Sequence, residues 1–192
     1  MTQQQSYDRY NEPFASVYAI ADVFDHLGVA YALGGACARL AYGSHPREVD
    51  EAVFFAEMRP KQRAAFEEKA QTLFHVEAER SEPAQPPRSL RLKRLATLFD
   101  VRIWLARPPF ETEILARRRE HGLGRRRLVW LVSPEDAILS SLHWYNRSGG
   151  EQIAWWDDAV DMLHTQGNTL DRAYLETWAQ RLGLRTLLQA AQ

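Results

Sequence analysis

Two glycines and several carboxylates in the first hundred residues are of the types that bind a nucleotide and a metal ion. Gly34-Gly35 end a short apolar run and precede an alanine-rich, helix-compatible stretch. Backbone N–H groups at such a turn can hold a phosphate, although a plain tight turn is the simpler interpretation. Clustered acids, Glu48, Asp50 and Glu51, accompany a second apolar segment, and Asp100 lies inside a third, where a carboxylate is costly unless it is paired, solvated or metal-bound. Carboxylates on neighbouring strands beside a phosphate-binding turn predict a Mg²⁺ site for phosphoryl or nucleotidyl transfer.

The elements that must position these residues follow from hydrophobic periodicity. The pattern predicts a flexible N-terminus over 1–13, an α/β core over 14–132 and a helical region over 133–192. Within the core we predict helices at 14–27, 36–42, 60–74 and 110–120, and strands at 29–33, 49–55, 98–105 and 128–132. The order of helices and strands therefore indicates an α/β fold class.

The C-terminal region begins with a strong helix start. Ser133 is of the type that caps a helix, Pro134 suits the first helical position, and two acids follow in the first turn. We predict helices over 134–145, 152–165, 171–181 and 184–191, separated by turns that contain glycine.

Motifs in both halves have a common resemblance. The first half carries, in order, Gly34-Gly35, Ala38, Tyr42-Gly43, Arg47 and Asp100; the second carries Ser133-Pro134-Glu135-Asp136, Trp144-Tyr145, Gly149-Gly150, Leu170-Asp171, Tyr174-Leu175 and Trp178-Ala179. In this order the chain resembles the nucleotidyltransferase superfamily, in particular the bacterial branch related to abortive-infection and toxin–antitoxin nucleotidyltransferases. The resemblance covers about residues 15–190 and implies a small mixed sheet of three to five strands flanked by helices, with a C-terminal helical bundle.

The resemblance also implies a role for each candidate residue. Gly34 and Gly35 would hold phosphates, and Glu51 and Asp100 would ligate Mg²⁺ and perform the catalysis. Arg47, or the basic segment 88–127, would bind phosphate or an RNA acceptor. The implied reaction is attack of an acceptor hydroxyl on the α-phosphate of a nucleoside triphosphate.

Three positions depart from the family pattern. The threonine of the family falls on Val49, the second metal aspartate falls on Val53, and a lysine of the C-terminal region falls on Ser141. The first metal aspartate is lengthened to Glu51. Because residues two apart on a strand share a face, Val53 places a methyl-bearing side chain where a carboxylate is needed. These departures favour a catalytically weakened or inactive protein. The alternative is a non-enzymatic binding or regulatory module, of toxin–antitoxin or phage-defence type, on the same fold.

Charge and composition narrow the remaining possibilities. Residues 88–127 hold 12 Lys+Arg against 4 Asp+Glu, although the net charge of the 192 residues is only −1. This basic segment predicts either a solvated arginine-rich face or a surface for RNA or a protein partner. The single cysteine, Cys37, excludes an intrachain disulfide, and no apolar run approaches the ~18 residues of a membrane span. We therefore expect a cytoplasmic protein without a membrane segment.

Overall fold

The computed structural model describes residues 12–43, 48–79, 88–123 and 127–192. Its α-helices are α1 (Phe14–His26), α2 (Gly35–Tyr42), α3 (Pro60–Ala70), α4 (Phe110–Ala116), α5 (Pro134–Arg147), α6 (Ile153–Gln166), α7 (Arg172–Arg181) and α8 (Arg185–Ala191). Its strands are β1 (Ala30–Gly34), β2 (Glu51–Glu57), β3 (Phe74–Glu79), β4 (Ser89–Arg94), β5 (Asp100–Leu105), β6 (Arg119–Leu123) and β7 (Arg127–Leu131). A 3-10 turn, Gly167–Thr169, separates α6 from α7.

The strands form one mixed sheet in the order β3-β4-β5-β2-β1-β7-β6. The pairs β2–β5 and β1–β7 are parallel, whereas β3–β4, β4–β5 and β6–β7 are antiparallel. The α/β fold class predicted from the sequence is confirmed. The described part of the sheet has seven strands, however, and not the three to five that we expected.

One face of the sheet holds an apolar core. Phe24 of α1 lies with its ring centroid 5.0 Å from that of Phe66 of α3, 5.1 Å from Tyr31 of β1 and 5.7 Å from Phe54 of β2. Ile103 of β5 is also fully buried. Since strand side chains alternate between faces, this packing directs Glu51, Val53 and the matching residues of β4 and β5 to the opposite face.

The chain divides into two compact units. The first, the sheet unit, comprises residues 1–33 and 49–131, and the second, the helical unit, comprises residues 34–48 and 132–192. Within the helical unit, α2 packs against both α5 and α6. The sequence-based division at residue 132 differs from this one in the placement of residues 34–48.

Buried polar contacts stabilise the helical unit. Arg39 of α2 and Asp158 of α6 form an ion pair, Nε to Oδ1 at 2.9 Å, with side chains only 3% and 5% exposed. The predicted cap of α5 is confirmed, because the backbone N–H of Asp136 donates to Ser133 Oγ at 3.1 Å. The Tyr174 hydroxyl of α7 donates to the same Asp136 carboxylate at 2.6 Å. Burial of these charges requires that each be paired.

Three strands were missed at the sequence level, and two helices were predicted too long. Residues 71–74 lie beyond α3, and Phe74 already belongs to β3; likewise, residues 117–120 lie beyond α4, and β6 begins at Arg119. The strands β3, β4 and β6 carry many charged residues because their outward positions are polar, so they lack the apolar run by which a buried strand is recognised. No helix in the described ranges has the length and hydropathy needed to span a membrane.

Candidate active-site face

Strand register places the two candidate metal ligands side by side. Glu51 of β2 is the Cα partner of Asp100 of β5, and Asp100 is in turn the partner of Lys93 of β4. Two residues further along β2, Val53 is the Cα partner of Arg102 of β5, and Arg102 is the Cα partner of Arg91 of β4. The six charged residues Glu51, Glu79, Arg91, Lys93, Asp100 and Arg102 approach one another on this side of the sheet, and we call them the charged face.

The carboxylate of Asp100 is held by protein cations. The Lys93 ammonium donates to Asp100 Oδ2 at 2.8 Å, and the Nε of Arg91 lies 3.9 Å from Oδ1. Lys93 also approaches the backbone oxygen of Leu98 at 3.4 Å. Cross-strand pairs of opposite charge stabilise a sheet modestly. The negative charge of Asp100 is therefore compensated by Lys93 without an external ion.

Arg102 links Glu51 to a second carboxylate. Its Nε donates to Glu51 Oε1 at 3.1 Å, and its Nη1 donates to Glu79 Oε2 at 2.7 Å. Glu79 Oε2 also accepts from the Ser89 hydroxyl at 2.7 Å. The Arg102 guanidinium lies 5.7 Å from the ring centroid of Trp104. Arg102 therefore joins acids from β2 and β3, two strands that are not neighbours in the sheet.

Burial dominates the titration of Glu51. Desolvation raises the pKa of the Glu51 carboxyl above its ordinary value, and the neighbouring Asp100 adds to the increase. The charge and hydrogen bond of Arg102 oppose the shift, but they do not cancel it. The Glu51 carboxyl therefore keeps its proton up to a higher pH than the carboxyl of an exposed glutamate does.

The side chains present do not fit a Mg²⁺ ion. Catalytic Mg²⁺ is bound through carboxylate oxygens, and here one oxygen of Asp100 accepts from Lys93 and one oxygen of Glu51 accepts from Arg102, so both candidate ligands already have a protein cation beside them. Val53 supplies no oxygen at the third position, beside Arg102. Across the described residues there is no group of three or more His, Cys, Asp or Glu side chains placed to hold a metal. The ion pairs of the charged face join three cations to three carboxylates, and Glu77, the Cα partner of Arg91, adds a further carboxylate on the same side of the sheet.

The other candidate residues belong to the helical unit. Gly34 ends β1 and Gly35, with φ of +58°, begins α2, so the predicted glycine turn before a helix is present. This φ favours glycine at position 35. Ser141 is a buried residue of α5. Arg47 lies outside the described residues.

Much of the basic segment 88–127 is paired within the protein. Arg88 contacts Glu111, and the buried Arg94 lies 3.4 Å from Glu12. Arg118 lies 4.7 Å from the ring centroid of Trp130. Lys93 and Arg102 of the same segment are also paired, with Asp100 and with Glu51 and Glu79.

Sequence reasoning did not find Lys93, Arg102 or Glu79 as parts of the candidate site. A signal was present in β4, where Leu90, Arg91, Leu92 and Lys93 alternate between apolar and basic residues. Such alternation is typical of a strand with one buried and one exposed face, and it places Arg91 and Lys93 together. Their acidic partners come from strands distant in sequence, which no local pattern identifies.

Comparison with known proteins finds solved structures whose fold is similar to that of this chain. No protein-family model and no curated protein matches the sequence. The antibiotic-resistance factor ANT(2'')-Ia matches with a TM-score of 0.59 and 16% identity over 91% of this chain and 89% of its own. The lincomycin-bound lincosamide antibiotic adenylyltransferase LnuA matches with a TM-score of 0.55 and 15% identity, over 79% of this chain and 97% of its own. An antigenic nucleotidyltransferase-like protein from Paracoccidioides brasiliensis gives 0.55 and 16%, over 92% and 90% of the two chains. The fold of this chain is therefore a nucleotidyltransferase-like fold.

Proposed function

We propose that this protein is a binding module built on the nucleotidyltransferase fold, without nucleotidyl-transfer activity. The observation that carries the proposal is the pairing of Asp100 with Lys93 and of Glu51 with Arg102. Transfer from a nucleoside triphosphate requires positive charge at the reacting phosphates, which carboxylate-bound metal ions supply in metal-dependent enzymes. Here the carboxylates neutralise side chains of the protein itself.

The proposal keeps a role for the remaining candidate residues. Gly34 and Gly35 stand at the N-terminal end of α2, where the first backbone N–H groups of a helix lack helical partners and can bind a phosphate. Arg47 would add a positive charge for the same ligand class. Ser141, where the resembled family has a lysine, offers a hydroxyl and no charge, so it weakens the attraction for phosphate.

The test is a transfer assay on the full chain. Purified protein is incubated with MgCl₂ and each of the four nucleoside triphosphates, with lincomycin as one acceptor and the protein itself as another. Pyrophosphate release and nucleotide incorporation are measured. We expect neither to exceed the rate of the buffer blank.

A specific observation favours a second candidate, residual Mg²⁺-dependent transfer through Glu51 and Asp100. The two carboxylates are direct Cα partners on adjacent strands, and ion pairs that are partly exposed are weak enough to open. If the protein releases pyrophosphate, Asp100→Asn should abolish the release and Glu68→Gln, an exposed acid on α3, should not. That pattern would refute the proposed loss of transfer activity.

A further inference from the structure

Strand β3 forms one edge of the sheet and has a single strand neighbour, β4, in the described part of the chain. Its 6 residues pair with β4 without interruption, and they include no proline or lysine. Natural edge strands are often blunted by such residues or by a bulge, because unpaired backbone groups are a template for another strand. The opposite edge strand, β6, contains Gly122, which weakens a strand, and its Leu123 carbonyl accepts from the Tyr18 hydroxyl. Strand β3 is therefore the edge better suited to pair with a second chain.

The hydrogen bonds to β4 fix which backbone groups of β3 face outward. Leu95 N donates to Leu73 O at 3.0 Å, and hydrogen-bonded and non-hydrogen-bonded pairs alternate along an antiparallel ladder, so the odd positions of β3 bind β4. The next ladder agrees, because Arg94 N donates to Phe99 O and the even positions of β4 therefore face β5. The residues of β3 whose backbone N–H and C=O groups point to the open edge are Phe74, Val76 and Ala78.

We propose that β3 is a dimerisation edge, at which two copies of this chain pair antiparallel about a twofold axis through Val76. In this register Val76 is opposite Val76 of the second copy, and Phe74 is opposite Ala78. All three residues present outward-facing backbone groups, so the pairing supplies about six N–H···O hydrogen bonds between the copies. The same surface is used by both copies, so the contact closes as a dimer and does not propagate.

The exposed side chains of β3 complement one another in this register. His75 is opposite Glu77 of the second copy, and Glu77 is opposite His75. The two side chains are 66% and 63% exposed, and within one chain His75 Nε2 lies 3.0 Å from Glu77 Oε1. An imidazole N–H can donate to a carboxylate, and opposite charges at facing positions stabilise a strand pair. A register shifted by two residues places either two histidines or two glutamates opposite each other, so charge favours the register centred on Val76.

Sedimentation velocity of the full chain tests the proposal. Pairing of a single strand gives an interface at the small end of the protein–protein range, so association is measured from about 5 to 500 µM. Val76→Pro removes an outward N–H that makes no bond to β4, and proline is tolerated on a free strand edge. Val76→Ala is the matched control, because it shortens the same side chain and keeps the N–H. Circular dichroism verifies that every variant is folded.

A second set of variants tests the register and does not alter the backbone. His75→Glu places two acids opposite each other at both ends of the pairing, and the exchange His75→Glu/Glu77→His restores an acid opposite a histidine. His164→Glu makes the same substitution at an exposed position of α6 and is the control for net charge.

We expect the wild type and Val76→Ala to dimerise reversibly, and Val76→Pro to weaken the dimer by at least about tenfold. His75→Glu should weaken it by at least about threefold, whereas the exchange and His164→Glu should stay within about twofold of wild type. Hydrogen exchange gives a second readout. The amides of Val76 and Ala78 should become more protected as concentration rises, and those of His75 and Glu77, which already bind β4, should not change.

Three results would overturn the proposal: a wild type that stays monomeric, a folded Val76→Pro that dimerises like Val76→Ala, or a His75→Glu that dimerises like His164→Glu. Species that grow beyond a dimer with concentration would also overturn it, because they require β3 to pair with a different edge. If Val76→Pro does not fold, the histidine variants decide the question. None of these measurements depends on the transfer assay, so the dimer and the proposed function fail separately.

Discussion

Restoring the missing carboxylate should not, by itself, restore a Mg²⁺ site. A Val53→Asp substitution places the new carboxylate opposite Arg102, its Cα partner. Because Arg102 is within cross-strand reach, we expect it to pair with the new acid. A double reversion, Val53→Asp with Ser141→Lys, leaves Lys93 and Arg102 in place and should share this defect.

The expected size of the effect follows from charge. The charged face has a net charge of zero, from three cations and three carboxylates. Val53→Asp lowers it to −1, addition of Arg102→Met to −2, and further addition of Lys93→Met to −3. Removing one unit positive charge ~6 Å from a divalent ion changes the interaction by about 1.4 kcal/mol at the dielectric constant of water. Each of the two cation removals should therefore strengthen Mg²⁺ binding by at least about tenfold.

The assay is calorimetric titration with MgCl₂ at low ionic strength. Four proteins are compared: the wild type, Val53→Asp, Val53→Asp/Arg102→Met, and the triple variant that also carries Lys93→Met. The wild type and Val53→Asp should give weak or undetectable heat, and the triple variant should bind most tightly. Thermal unfolding with and without Mg²⁺ gives a second readout, since a ligand that binds only the folded state raises Tm. Circular dichroism establishes that each variant is folded.

A charge-matched series separates local from global effects. Val53→Asp combined with Arg63→Met and Lys69→Met has the same net charge as the triple variant, but it removes cations from α3. This control should bind Mg²⁺ no more than a few-fold better than Val53→Asp alone, since distant exposed charges are screened. Tight binding by Val53→Asp alone, or equal affinity of the control and the triple variant, would refute the assignment of Lys93 and Arg102 as the obstructing cations.

Other consequences of the structure can be measured by chemical denaturation. Arg39→Met should destabilise the protein by about 3–5 kcal/mol because it leaves Asp158 buried without its partner; Arg39→Met/Asp158→Leu should recover part of the loss, and a double variant less stable than the single one would contradict this. Leu98 has φ of +62°, and the residue is 68% exposed. Leu98→Gly should therefore stabilise the protein by about 0.5–1 kcal/mol, whereas a loss of stability would show that the leucine side chain makes a needed contact. Burial raises the pKa of Glu51 above its ordinary 4.5, so its contribution to stability is greatest below that pH and is lost as pH rises through the raised value. As pH rises from 4.5 toward the raised pKa of Glu51, the free energy of unfolding of Glu51→Gln should therefore increase relative to that of the wild type. A difference that does not change with pH would refute the raised pKa.

Local sequence determined most of the helices and their boundaries. The α5 cap depends on Ser133, Pro134 and the acids of the first turn, and all of these are adjacent in the chain. Gly28 follows α1 with φ of +61°, as expected of a glycine that ends a helix. The strands β1, β2, β5 and β7 contain apolar runs and were predicted as strands for that reason. These features could be predicted because each depends on interactions within a few residues.

The charged face was decided only by tertiary structure. Lys93, Asp100 and Glu51 come together through an antiparallel pairing and a parallel pairing, and Glu79 of β3 reaches Arg102 of β5 across the intervening strand β4. No local pattern encodes which strands become neighbours, since pairing depends on how the whole sheet buries its apolar face. The sequence alone determined that Glu51 and Asp100 are carboxylates at strand positions and that Val53 is not. Only the three-dimensional pairing of strands showed that Lys93 and Arg102 neutralise the two that remain, because the energy of a charge depends on the charges beside it in space.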